Sequence, residues 1–168
     1  MGRKRCGGLI YIRQRSRCGT DRRMARTSVS RREPGRDQEC SQRQRGFAVC
    51  LKEDGKAIGA IELKLNGHTD MTDRDDECEM GYWLGKPFWG RGIMPEAVKE
   101  MLRHAFEDCG MRKVWIGYYE GNIKSKRVQE KCGFKYQWKT QDVDVPLMHE
   151  KRTGNVSLMT REDWLSGK

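Results

Sequence analysis

The stretch GYWLGKPFWGRGIMPEAV, residues 81–98, constrains the fold more than any other part of the chain. An aromatic strand runs into a turn that carries Gly90 and Gly92 with Arg91 between them, and a helix starts directly afterwards. Glycine permits positive φ or a close backbone approach, and the first turn of a helix presents unpaired N–H groups. A helix start reached through such a turn suits an anion, typically phosphate. The same spacing also fits a loop whose glycines only turn the chain, because short glycine motifs recur widely.

Periodicity predicts the elements around that turn. FAVCLKEDGKAIGAIELKL reads as two strands, about 47–51 and 57–65, joined at Asp54-Gly55, a strong hairpin pair. The acidic run in NGHTDMTDRDDE reads as a solvated loop that could also meet a cationic substrate. ECEMGYWL is a third strand, with Glu77, Glu79, Gly81 and Trp83 on one face and Cys78, Met80, Tyr82 and Leu84 on the other. Ala97, Val98, Met101, Leu102, Ala105 and Phe106 mark one stripe of a helix over about 93–109, which Gly110 ends. KVWIGYY is a buried strand, Asn122 caps a second helix over about 123–132, and FKYQWK, DVPLMHE and NVSLMT read as closing strands. This order predicts an α/β (α+β) chain: one mixed sheet with helices packed against it.

A length of 168 residues suits one domain with one core, and no apolar run nears the roughly 20 residues of a membrane span. The basic start lacks the apolar core of a secretory leader. Seven cysteines without a C-x-x-C pair, and three scattered histidines, predict no metal site. Cys50, Cys78, Cys109 and Cys132 lie in apolar patterns and read as small core residues of a reducing cytoplasm. The net charge of +10 sits entirely in residues 1–46, where 13 of the 14 basic residues are arginine; beyond residue 46 charges balance.

GYWLGKPFWGRGIMPEA and GNIKSKRVQEKCGF, in this order, resemble the GNAT superfamily of N-acetyltransferases, within it the ribosomal-protein N-terminal acetyltransferase branch. The resemblance covers 47–168 and implies a GNAT-like, largely antiparallel mixed sheet flanked by helices. It implies acetyl-CoA as cosubstrate, no metal, and direct transfer to an amine, either a protein N-terminus or a small molecule such as an antibiotic or polyamine. N–H groups of Trp89, Gly90, Arg91, Gly92 and Ile93 would then hold the diphosphate, with Arg91 adding charge. Backbone groups of Tyr82, Trp83 and Leu84 would pair with the pantetheine arm, and Asn122 would support the cofactor side of the cleft besides capping its helix. Glu79 is the first candidate for the base and Glu77 the second; each also fits a surface carboxylate on an alternating strand. Gln129 stands where many relatives carry a tyrosine that protonates the leaving thiolate. The resemblance implies a cytoplasmic enzyme, with no membrane partner and room for a homodimer.

The family normally opens with a strand and two helices that wall the acceptor cleft, and residues 1–46 show neither periodicity. One reading of this Arg-rich segment is a disordered basic tail. Another is a frame-shifted reading of the usual opening: Met1-Gly2 and Met24-Ala25 each require ATG-G, so a one-base shift reads Trp at both. Either way the N-terminal strand and helices are expected to be missing or corrupted. A rival from another class is a nucleic-acid binder using the arginines, though no aromatic platform accompanies them.

Overall fold

The computed structural model describes residues 9–14, 46–145 and 150–167. Strands β1 (Ile10–Gln14), β2 (Gly46–Leu51), β3 (Ala57–Lys64) and β4 (Glu77–Leu84) precede helix α1 (Ile93–Arg103). Strand β5 (Lys113–Tyr119), helix α2 (Ile123–Lys131), strands β6 (Lys135–Val145) and β7 (Glu150–Thr160), and helix α3 (Arg161–Ser166) complete the order. The seven strands form one sheet in the order β1-β2-β3-β4-β5-β7-β6. Every neighbouring pair is antiparallel except β4 and β5. That parallel pair is where the chain crosses over through α1, as two parallel strands require.

Alternation along the strands explains the core. Val49, Ile61, Leu63, Cys78, Met80, Val114 and Ile116 are buried and pack against Ile93, Ala97, Val98, Met101 and Leu102 of α1. The helix buries its stripe as its spacing demands, and Ala105 and Phe106 continue it into a π turn at His104–Asp108 instead of a regular helix to residue 109. Trp164 of α3 packs on Phe106 at 5.4 Å between ring centroids. This six-residue helix was not expected from periodicity; its sign is local, Thr160 accepting from the Asp163 N–H at 3.1 Å as an N-cap.

Three expectations need correction. The opening strand is present: Ile10 pairs with Leu51 and Ile12 with Val49, and Ile10 is buried in the core. Its three apolar residues are too few to show a period among arginines, and sheet pairing supplies what the pattern lacks. The expected disorder or frame-shift over 1–8 and 15–45, and the absence of helices there, lies outside the described residues. Of the expected strand DVPLMHE, residues 146–149 lie outside the described residues; FKYQWK and NVSLMT extend instead into two long strands of 11 residues each, β6 ending at Val145 and β7 starting at Glu150. Finally, Cys50, Cys78 and Cys132 are free, but Cys109, half-buried at the rim of the core, is disulfide-bonded.

Candidate active site

Strands β4 and β5 pair only from Glu77↔Lys113 to Met80↔Ile116. Beyond that point Gly81–Leu84 stay with β3 and Gly117–Tyr119 with β7, so the sheet opens into a split between them. The edges facing the split carry backbone N–H and C=O groups with no strand to bond. At its outer end the chain leaves Leu84, makes a 3₁₀ turn at Lys86–Phe88, and enters α1 through Gly90 and Gly92.

Both glycines are left-handed, with φ of 77° and 76°, and a side chain at either would meet nothing within 4 Å. The turn therefore faces open space. Gly92 caps α1 without a side-chain bond, and the N–H groups of Gly90, Arg91 and Gly92 donate to no backbone carbonyl among the described residues. The Trp89 N–H differs from the expectation that it joins them, because it closes the 3₁₀ turn on Lys86 O at 3.2 Å. The Trp89 indole donates to Leu84 O at 2.7 Å, and Lys124 Nζ lies over its ring at 3.9 Å. Arg91 is exposed, 6.0 Å from the Phe88 ring centroid. A cleft of about 540 Å³, lined by Trp89, Tyr119–Lys124 and Arg152, opens beside this turn. Asn122, on its wall, accepts from the Ser125 N–H at 3.1 Å and so caps α2. The residues present fit an anionic, extended cosubstrate: uncapped N–H groups at the turn, unpaired strand edges along the split.

The two carboxylates lie on the sheet face opposite α1, and neither is a surface group. The loop 66–76 folds over them. Thr69 donates to Glu79 Oε2 at 2.6 Å and Lys64 to Oε1 at 2.8 Å. Burial works against the charge on Lys64, yet the paired Glu79 raises its pKa overall. Glu77 takes more donors: Trp115 Nε1 at 2.6 Å and Thr72 Oγ1 at 3.0 Å on Oε2, with Lys113 at 2.9 Å and Arg74 at 3.4 Å from Oε1. Burial pushes the Glu77 pKa up, but the bonds from Trp115, Lys113 and Thr72 outweigh it and hold it below the ordinary carboxylate value. Loop and sheet are in close contact, since a Cβ at Gly117 would come within 2.8 Å of Met71 Cε. The acidic stretch that reads as solvated therefore supplies, through its threonines, the cover of the carboxylates. T-x-x at positions 69 and 72 carries no pattern that announces this.

On the α1 side of the split, the Tyr82 hydroxyl is 2.8 Å from Ser125 Oγ of α2. Burial raises its pKa. One turn further on, Gln129 is 2% exposed. Its amide lies near enough to favour tyrosinate slightly, but neither of its polar atoms reaches a hydrogen-bond geometry.

A model of the acetyltransferase (GNAT) domain matches residues 11–135. Over 97 residues the chain is 35% identical to a putative ribosomal N-acetyltransferase of Bacillus subtilis, covering 58% of this chain and 50% of that one. Over 94 residues it is 30% identical to the ribosomal-protein-serine acetyltransferase of Escherichia coli, covering 54% and 49%. The crystal structure of the ribosomal-protein-S5-alanine acetyltransferase from Vibrio fischeri superposes with a TM-score of 0.62 at 21% identity, over 71% of this chain and 62% of that one. The chain spans about half the length of the curated relatives it matches.

Proposed function

This chain belongs to the GNAT acetyltransferase family, and on that premise we propose that it transfers the acetyl group of acetyl-CoA directly to an amine. The observation that carries the reading is the parting of β4 from β5 after Met80↔Ile116, with the glycine turn at its outer end. In this reading the N–H groups of Gly90, Arg91, Gly92 and Ile93 bind the diphosphate at the start of α1. The free edge of Tyr82–Leu84 takes the pantetheine arm like an added strand, and Asn122 holds the first turn of α2 against it. Acetyl-CoA supplies the thioester; an N–H near Trp83 or Leu84 polarises its carbonyl.

Glu79 is the base of this reading. It lies one residue before the last β4–β5 pair and keeps two donors, whereas Glu77 is held by four. A free α-amine, with a pKa of about 7.7–8.0, is roughly one-tenth neutral at pH 7, while a lysine near 10.4 is neutral in less than about one part in a thousand. A base already paired to Lys64 therefore suits an α-amine. The names of the Bacillus subtilis and Escherichia coli relatives make a protein N-terminus the acceptor class we infer. The compartment we infer is the cytoplasm, where ribosomal proteins of the kind named for these relatives are made.

Incubation with acetyl-CoA and a panel of N-terminal peptides, internal-lysine peptides and spermidine, read by mass spectrometry, tests the reading. Acetylation at α-amines is expected. Acetylation of spermidine alone would replace the acceptor, and no calorimetric binding of acetyl-CoA would overturn the proposal. Glu79→Gln should lower kcat by about 100-fold with the acetyl-CoA KM little changed, as loss of a general base does.

A further inference from the structure

The split in the sheet starts between two glycines. Strands β4 and β5 last pair at Met80↔Ile116, so Gly81 and Gly117 come next, facing each other as the strands part. Alternation puts both on the carboxylate face, Gly81 midway between Glu79 and Trp83. No side chain of either strand fills that face where the split begins, which leaves a mouth. A Cβ on Gly117 would lie 2.8 Å from Met71 Cε, so the loop 66–76 walls the β5 side. A Cβ on Gly81 would lie 3.4 Å from Glu62 Oε1, so this carboxylate leans over β4 from β3. Trp83, 59% exposed, stands at the outer rim opposite Ala60. We propose that this mouth admits the acceptor as a protonated primary amine and that Glu62 receives its ammonium group, an inference that rests on the acetyl-transfer reading above.

Charge supports this placement. Glu62 is exposed, and Lys64 pairs with Glu79 at 2.8 Å, which leaves Glu62 without an ion pair among the described residues. Lys64 is acted on by Glu79, Glu62 and Asp70 together, so three carboxylates outweigh one ammonium at this rim. Such a rim draws cations in, and the exposed indole of Trp83 offers a ring face that a cation also favours. At pH 7 roughly nine-tenths of an α-amine is protonated, so the rim gathers the majority form. The proton then leaves toward Glu79, on the same face, and the neutral amine attacks the thioester. Glu62 positions the amine and takes no part in bond making. Acetylation removes the positive charge, so the product loses this attraction and leaves more readily than the substrate.

The experiment compares the full chain with Glu62→Gln, Glu62→Asp and Gly81→Val, using an N-terminal peptide and spermidine as acceptors. Glu62→Gln should raise the acceptor KM about three- to fivefold, the size of an exposed ion pair, with kcat within about twofold and acetyl-CoA affinity unchanged. Glu62→Asp keeps the charge and should recover most of that loss. Added salt should raise the wild-type acceptor KM and move that of Glu62→Gln less, which a merely structural role would not produce. Gly81→Val fills the mouth, and its Cβ makes only ordinary contacts with Glu62 and Lys64. Transfer should fall about 100-fold, as misplacing a reactant does, while acetyl-CoA still binds. A KM shift with the peptide assigns the site to an α-ammonium; a shift with spermidine alone keeps the ammonium site and makes a polyamine its occupant. If transfer proceeds with acceptor KM and salt dependence unchanged in Glu62→Gln, or near wild-type rate in Gly81→Val, this inference fails and acetyl transfer stands. If acetyl-CoA does not bind the full chain, that reading fails and this inference with it.

Discussion

Glu77 shows how four donors decide the state of one residue. Trp115, Thr72, Lys113 and Arg74 converge on a carboxylate that is only 3% exposed. Exchange of Glu77 for glutamine is instructive because the amide keeps one acceptor but turns an NH₂ toward donors. Glu77→Gln should lower unfolding free energy by about 2 kcal/mol, the order of a lost bond to a charged group, measured as a drop in the urea midpoint. The native pKa of Glu77 is below its ordinary value. Its stabilisation is therefore complete above the unfolded carboxylate value of about 4.3 and is lost as pH falls through the lower native value. The variant should lack that acid-side loss. At this scale the sequence was readable in part. Alternation put Glu77 and Glu79 on one face, but burial came from the loop that precedes the strand, through Thr72 five and Thr69 ten residues back, beyond the reach of a period-two pattern.

At the scale of elements, the strand–turn–helix from Glu77 to Arg103 holds the site. Strands β4 and β5 were legible at their bounds, because β4 is an alternating stretch followed by Gly85 and β5 a short, largely apolar run followed by Glu120. The helix α1 followed from its stripe, and its start from Gly92. Gly90→Ala places a Cβ on a residue at φ 77°, a left-handed conformation that costs an L-residue about 1–2 kcal/mol. We expect little change in the core, since nothing surrounds that position within 4 Å. Instead the turn should relax away from the conformation that aims its N–H groups outward. Acetyl-CoA affinity should fall about tenfold by calorimetry, with a thermal midpoint lowered by a few degrees. An unchanged affinity would mean that the turn does not hold the diphosphate. The split itself was not legible, since β4 and β5 read as uninterrupted strands and only their divergence in space opens it.

At the scale of the molecule, β1 closes one edge of the sheet. Ile10 is 6% exposed and belongs to the core, and Leu9 N–H donates to Glu96 Oε2 of α1 at 3.3 Å. Deleting residues 1–45 should remove about 1.5–3 kcal/mol for Ile10 alone and bare the edge of β2 to other chains. The proposed acetyl-CoA site, built from residues 81–124, should persist. Expected outcomes are a lower thermal midpoint, more aggregation, and acetyl-CoA affinity within about threefold of the full chain. The same deletion removes the whole +10 excess of charge. Nucleic-acid binding that is steep in salt and vanishes on deletion would support the rival reading.

The sequence by itself determined the layered α/β plan, the core stripe of α1, the glycine turn and the faces of β4, because each is written in local spacing and local conformational preference. Only the tertiary structure decided the rest. It placed β1 on β2, although three apolar residues among arginines carry no period. It folded the loop 66–76 over Glu77 and Glu79, and it brought Tyr82 against Ser125 and Gln129. The first and last are contacts between segments far apart in the chain, and the second is a fold of the loop back over the strand it leads into. All depend on how strands twist apart and helices cross them. No residue pattern records that by itself.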